Sequence, residues 1–253
     1  MTYTSKISGW GGFPKKKAQL LSPHSYSAMQ AEVQTKQTLI SRGMGRSYGD
    51  SANASVVLQT TLCDHFIEFD TNAGLLTTES GITLREILKV IVPKGWFLPV
   101  TPGTSYVTLG GAIASDVHGK NHHVAGTFGE HVKSMTLLLG TGEVVNASPT
   151  EHIDLFQATC GGMGLTGVIL HATIQLFPIQ SSFINQKIIK ADCIETACEM
   201  FEENTNATYS VAWIDCLATG KNLGRSVLML GEHANKGGLN LAIKNPITTR
   251  IHT

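Results

Sequence analysis

The sequence predicts an α+β fold, and three observations predict it. Strand-like segments come in pairs and hairpins between single helical segments, rather than alternating with helices one for one. Of 253 residues, 42 % are apolar and 15 % charged; about 25 % charged is usual, so a large buried core is implied. Half of the 26 glycines gather at 43–49, 103–119, 161–167 and 237–238, as backbone does where it turns tightly or lies close to a ligand.

In chain order, residues 22–35 (LSPHSYSAMQAEVQ) read as a helix capped by Ser22 with Pro23 in its first turn. A β-branched run at Thr38–Ile40 leads into the first glycine cluster. Val56–Leu58, Phe66–Phe69 and Leu75–Thr78 read as strands, the last two joined by the turn DTNAG at 70–74. Thr83-Leu-Arg-Glu86 is a capping box, and Leu84, Ile87, Leu88 and Ile91 follow on one apolar helical face. Pro93 and Gly95 end that helix. A second helix is expected from Ser148-Pro149-Thr-Glu151 to about Cys160. A third starts at Asp192, with Ile194, Ala197, Cys198 and Phe201 on its buried face. Val168–Phe177, Gln186–Ile189, Tyr209–Ile214 and Ser226–Leu230 complete the strands. The polar stretch Pro178–Phe183 is the expected domain boundary, giving a first domain at 1–180 and a second, too small for a convincing core of its own, at 181–253.

Nineteen basic residues balance nineteen acidic ones. That excludes the basic surplus of a nucleic-acid binder or a polybasic membrane-surface module. Five cysteines, an odd number with no CxxC, argue against a disulfide framework or zinc ribbon and for a reducing compartment. With no signal-peptide core and no run of 18 apolar residues, the expected location is the cytoplasm.

Three glycine motifs could carry chemistry. RGMGRSYGD at 42–50 follows a strand, and its glycines free backbone N–H groups to form a concave anion nest. An ordinary tight turn suits the same residues equally well. GMGLTG at 162–167 matches G-x-G-x-x-G to the letter, but it follows a helix and precedes a strand. That is the reverse of a dinucleotide-binding turn, so it reads as a glycine-lined junction able to touch a ligand through backbone. In the third, bare backbone at Gly110–Gly111 is followed by His118, Lys120, His122 and His123. A flat ligand ring could lie there with the polar cluster at its edge; a polar surface loop is the plainer alternative. A metal site from His118 and His122 lacks both a helix and a third ligand. Cys160 could be a nucleophile, though a buried structural cysteine is commoner. Ser47 and Ser115 lack a nucleophile elbow, and Trp213 reads as core or as a ring-pocket wall.

Together, RGMGRSYGD at 42–50, PGTSYVTLGGAIASDVHGKNHH at 102–123, FGEHVKSM at 128–135, GGMGLTGVI at 161–169 and YSVAWID at 209–215 resemble the flavin-binding domain of the vanillyl-alcohol-oxidase (PCMH-type) oxidoreductases. Within them, the likeness is to the decaprenylphosphoryl-β-D-ribose oxidase family, in order from Gly9-Trp10 to about Arg225. The resemblance implies a PCMH-type FAD-binding domain of two small α/β subdomains, followed by an α+β substrate domain. It implies that Ser41, Arg42, Gly43, Met44, Gly45, Arg46, Ser47, Tyr48, Gly49, Asp50 and Ser51 hold the FAD diphosphate. Gly103, Thr108, Leu109, Gly110 and Gly111, with Ser115, Asp116, Val117 and His118, would wrap the flavin, and Ile169 would meet it by its backbone. Arg46 stands where covalent relatives carry a flavin-linked histidine, so FAD is expected to be non-covalent.

The activity implied is hydride transfer from C2′ of a lipid-linked ribose, with a partner reductase completing epimerisation. Tyr48, His118 and Lys120 would face the substrate, Lys120 as a cationic donor to sugar or phosphate and Tyr48 orienting a hydroxyl. A membrane would be met only through that substrate. The family pattern also includes a full substrate domain and a C-terminal return segment, whereas the stretch at 237–253 matches nothing in it. A truncated chain is therefore expected. The alternatives are an aldonolactone- or alditol-type FAD oxidase, which HGKNHH disfavours, and a catalytically inactive FAD-binding fragment.

Overall fold

The structure is a computed structural model and describes residues 2–36 and 38–239. Those residues fall into two compact units: the chain up to Ile87 with Leu98–Phe177, and Leu88–Phe97 with Pro178 onward. Residues 88–97 thus group with the second unit. Residues 240–253, most of the unmatched C-terminal stretch, lie outside the described residues.

The first unit carries two sheets. β1 (Thr2–Ile7), β2 (Lys16–Leu21), β3 (Ile40–Arg42) and β4 (Val56–Gln59) form one, in the order β1-β2-β4-β3. Only β1 and β2 run antiparallel in it; β2 and β3 both flank β4 in parallel. The other is antiparallel throughout: β5 (Phe66–Asp70), β6 (Leu75–Glu79), β8 (Val132–Leu138), β9 (Val144–Ala147) and β10 (Val168–Gln175), in the order β5-β6-β10-β8-β9. Leu21 and Leu58 of the first sheet meet Leu138, Val168 and Leu170 of the second in one core, closed by Met29 and Val33 of α1 (Tyr26–Thr35). This mixture of helices and largely antiparallel sheet is the α+β class the sequence predicts.

Two expected helix starts are corrected. Helix α1 is capped by Ser25, whose hydroxyl accepts from the Ala28 amide at 3.2 Å. Ser22 is instead spent on β4, donating to the Gln59 side chain at 2.7 Å. Helix α5 (Ile153–Thr159) starts after His152, not at Ser148. Residues 148–151 close a turn in which the Ser148 hydroxyl accepts the Thr150 and Glu151 amides and the Ser148 amide donates to the Glu151 carbonyl. The hydroxyl bonds are those an N-cap makes, but His152, at φ +47°, leaves the helical path between this turn and α5. Helix α2 (Leu84–Ile91) agrees with its reading: the Thr83 hydroxyl accepts from the Glu86 amide, Leu84, Ile87 and Ile91 are buried, and Gly95 follows at φ +82°. The two-residue strand β7 (Trp96–Phe97) comes next.

Short helices α3 (Leu109–Ala114) and α4 (His122–Ala125) lie in the first unit. Glycines at 110 and 111 hide α3 from a periodicity reading, yet Leu109, Ala112 and Ile113 are fully buried.

In the second unit β12 (Ile184–Ala191), β14 (Ser226–His233) and β13 (Tyr209–Ile214) form an antiparallel sheet in that order, after the short β11 (Phe177–Pro178). Helix α6 (Ile194–Glu203) packs on β12 and β14. Ala197 is its buried residue; Cys198, a hundred degrees round the helix, is exposed, and Ile194 is at the surface. Trp213 is 56 % exposed rather than core. Its register partner is Val227, one residue off the buried Leu228, so alternation turns Trp213 to the opposite sheet face. Asp215 is held below the usual carboxylate range by the Arg225 guanidinium, which donates to it at 2.6 and 2.9 Å.

Candidate functional site

The first unit contains a cavity of about 500 Å³, within the usual size of a ligand pocket. Three stretches far apart in sequence line it: 41–52, 102–118 and 163–169.

β3 delivers the first stretch. At its end the chain leaves the sheet at Gly43 and turns at Gly45, which has φ +63°. A Cβ at Gly43 would strike the Thr108 hydroxyl, and one at Gly45 the Arg42 guanidinium. Side-chain-free backbone is thus required on both sides of the turn. Among the described residues, the amides of Met44 to Tyr48 donate to no backbone or side-chain oxygen. Five adjacent unmet donors on a concave loop form an anion nest. Two guanidiniums accompany them, and among the described residues neither forms a salt bridge. Arg42 is structural, its Nη1 donating to the Ala52 carbonyl and the Asn53 side chain at 3.1 and 2.7 Å and its Nη2 to the Ser8 carbonyl at 2.7 Å. Burial, and then repulsion from Arg46, lower its pKa. Arg46 keeps a buried Nε without a partner.

The second stretch brings α3 alongside. Thr108 caps it, accepting from the Gly111 amide at 3.1 Å. Gly110 lies against Ser80, and a Cβ there would stand 2.9 Å from the Ser80 Cβ. The Ser80 hydroxyl, buried in the wall, has no protein partner. Val107, Ala114, Val117 and Ile169 make the wall apolar. The third stretch is fastened to α3: Gly161 donates to the Ile113 carbonyl at 3.1 Å and Met163 to that of Ala114 at 2.8 Å. Met163 takes a left-handed backbone (φ +53°) and lines the cavity with Gly164 and Gly167.

Of the residues singled out from sequence, Ser41 to Gly49, Ser51, Gly103, Thr108, Gly110, Gly111, Ser115, Val117, His118 and Ile169 all line this cavity. Four do not. Leu109 points into the core, fully buried. Asp50 is exposed and accepts the Asn53 amide through its carbonyl, within a turn. Asp116, at φ +40°, accepts the Gly129 amide at 2.8 Å. Lys120 is exposed, beyond the lining. Tyr48, 89 % exposed, stands at the rim. The His118 and His122 rings lie 5.4 Å apart. Burial, and secondarily Asp116, push the Cys160 thiol up to about 11, so it is protonated near neutrality and unsuited to nucleophilic work.

Sequence reading missed Thr60, Ser80, Val107 and Ala114. A lone serine after a strand and two small apolar residues carry no signal by themselves. It also missed the backing of the loop by 8–10: the Trp10 amide donates to the Ser47 carbonyl at 2.8 Å, and a Cβ at Gly9 would meet the Ser47 and Gly49 carbonyls.

The cavity therefore offers a nest of donors and spare guanidinium N–H groups along one wall and apolar backbone along the others, a fit for an anionic ligand with a flat ring. Comparison with known proteins agrees. Over 243 residues the chain is 38 % identical to decaprenylphosphoryl-beta-D-ribose oxidase of Mycolicibacterium smegmatis, covering 92 % of this chain and 53 % of that protein. It is 38 % identical over 173 residues to an uncharacterised protein of Streptomyces coelicolor (67 % of this chain, 46 % of that one). A putative D-arabinono-1,4-lactone oxidase of Neurospora crassa is 26 % identical over 186 residues (71 % and 33 %). The chain spans about half the length of the first two of these relatives. Residues 19–148, half of the chain, match the FAD binding domain family; the protein belongs to that family, and FAD is its cofactor.

Proposed function

We propose that this chain is the FAD-binding part of an oxidoreductase that oxidises a sugar hydroxyl of a lipid-linked ribose. The observation that carries the reading is the convergence of three glycine-bearing stretches on one cavity whose anion nest and unpartnered Ser80 and Arg46 groups match a dinucleotide. When bound, FAD supplies the two-electron acceptor for a C–H bond beside a hydroxyl. The amides of Met44 to Tyr48 and the Arg46 guanidinium hold the diphosphate. Gly103, Gly110, Gly111 and the wall at Val117 and Ile169 bed the rings and keep water out. Arg46 occupies the place of the flavin-linked histidine in covalent relatives, so the cofactor is held without a covalent bond.

At the rim, Tyr48 and His118 orient the sugar, and Lys120 on the same loop attracts its phosphate. The fold is of PCMH type, its two sheets forming the two small subdomains, and residues 181–253 begin a substrate domain. A partner reductase then acts on the keto sugar. Among the described residues no helix is long and apolar enough to cross a membrane; the proposed location is the cytoplasm, with the membrane met through a polyprenyl substrate.

The test is purification followed by spectroscopy. A yellow protein whose chromophore is released by acid supports non-covalent FAD, and a colourless protein that excess FAD cannot reconstitute overturns it. Bleaching by a ribosyl lipid phosphate but not by an aldonolactone supports the substrate class. The reverse result favours a lactone oxidase, as in the Neurospora crassa relative, and bleaching by neither favours an inactive FAD-binding fragment.

A further inference from the structure

We propose that Trp10 is a positioning residue for FAD, presenting Arg46 and the adjoining nest to the diphosphate; the proposal rests on the FAD reading above. Of the two arginines in the loop, Arg42 has both terminal nitrogens committed to protein oxygens, on Ser8, Ala52 and Asn53. Arg46 makes one such bond, Nη1 to the Met44 carbonyl at 3.1 Å, and its Nε is buried without a partner. Arg46 is therefore the guanidinium with donors to spare. It also stands close enough to Arg42 for the two charges to repel, which adds to the larger effect of burial in lowering the Arg42 pKa. The indole of Trp10 answers that repulsion. Its ring lies under the Arg46 guanidinium, 5.5 Å from centroid to Cζ, and the negative π face attracts the cation.

The backbone of the same residue fixes the loop. The Trp10 amide donates to the Ser47 carbonyl at 2.8 Å, pinning the middle of the row of free amides. Gly9 has to be side-chain-free for that approach, and Ser8 is gripped by Arg42. The tripeptide 8–10 thus holds the loop at two points, Arg42 and Ser47, while the Trp10 ring, 59 % exposed, adds little core burial. An exposed tryptophan with one cation above it and one loop carbonyl on its amide is placed to organise the loop more than to stabilise the fold.

The experiment is a titration of FAD, followed by its fluorescence, into cofactor-stripped wild type, Trp10→Leu, Trp10→Phe, Arg46→Ala and the Trp10→Leu/Arg46→Ala pair, with ligand-free melting temperatures alongside. Leucine keeps apolar bulk and removes the π face; Trp10→Gln serves the same comparison should the leucine variant misfold. Trp10→Leu is expected to weaken FAD about tenfold and Trp10→Phe about threefold at most, with melting temperatures close to wild type. On the Arg46→Ala background the leucine substitution should cost only about twofold, because its effect passes through Arg46. Riboflavin, which lacks the diphosphate, should bind wild type and Trp10→Leu alike. An equal loss on both backgrounds, or an equal loss of riboflavin, overturns the proposal while leaving FAD binding intact. A wild type that takes up no FAD overturns both.

Discussion

Two glycine-rich segments border the same cavity and do different work there. The loop at 42–50 leaves a strand, keeps its amides unmet and carries two guanidiniums. The turn at 161–167 leaves helix α5 and enters β10, and its amides are largely spent: Gly161 on Ile113, Gly162 on Thr159, Met163 on Ala114 and Leu165 on Gly162. The second spells the dinucleotide fingerprint and the first does not. What makes an anion site is unspent donors on a concave backbone, and spacing alone does not report that. The first segment is a binding device, and the second is a joint that lets strand and helix approach while lending bare backbone to the wall.

The sharpest test of the difference exchanges glycine for alanine in each. Gly167→Ala puts a Cβ 2.6 Å from the Leu138 carbonyl, in a neighbouring strand that cannot yield, at a φ of +151°. A loss of about 3 kcal/mol of stability is expected, read as a fall of roughly 6–12 °C in melting temperature. Gly45→Ala meets the flexible end of Arg42 instead, at φ +63°. It should cost about 1–2 kcal/mol of stability but a larger share of FAD affinity, by pushing Arg42 off its straps. If Gly45→Ala proves the less stable protein and Gly167→Ala the weaker binder, the contrast between device and joint is lost.

Arg46→Ala sharpens the comparison from the side of charge. Removing the guanidinium with spare donors should weaken FAD by about 10- to 100-fold, the worth of hydrogen bonds to a charged group, and leave the melting temperature of the ligand-free protein nearly unchanged. Rising salt should narrow the gap between variant and wild type. A gap that ignores salt would mean that Arg46 shapes the loop rather than meeting an anion.

How far the sequence anticipates all this follows from how local each signal is. Helix α2 is legible because its cap, apolar face and stop lie within thirteen residues, 83–95. β1 and β2 are not, because KKAQLL and TYTSKI mix charge and bulk without clean alternation and are strands only through each other and β4. β8, the strand beside β10, begins in a stretch quoted for its family likeness and runs three residues past it, and its burial is nearly continuous, so no period marks it. At the site, the glycine stretches are readable because glycine is a local exception. Ser80 is not, since its importance is a missing partner that exists only once Gly110 has closed over it.

That missing partner gives a test of the floor between the two segments. Ser80→Ala removes a buried hydroxyl without a hydrogen bond, so the ligand-free protein should be as stable as wild type or about 1 kcal/mol more so. FAD binding should weaken by about fivefold if the hydroxyl meets the cofactor. Stability and affinity then move in opposite directions in one variant, which neither a loop nor a joint glycine can do. Equal affinity would mean that the Ser80 hydroxyl does not face the ligand.

The smallest effect concerns the residue just before the joint. Cys160 has its thiol pushed up to about 11, first by burial and then by Asp116. A raised pKa leaves less thiolate at every pH below it, so at pH 8 about one thiol in a thousand is ionised, against roughly one in four for an ordinary cysteine. Mass-resolved alkylation at pH 8 should therefore label the exposed Cys198 and Cys216 well before Cys160, and the Cys160 rate should climb about tenfold per pH unit until pH 11. Early labelling of Cys160 would make the joint a reactive site, and the division of labour between the two segments would have to be redrawn. Late labelling leaves the joint as packing: a protonated thiol against Gly129 and Asp116, beside backbone that the cavity uses and side chains that it does not.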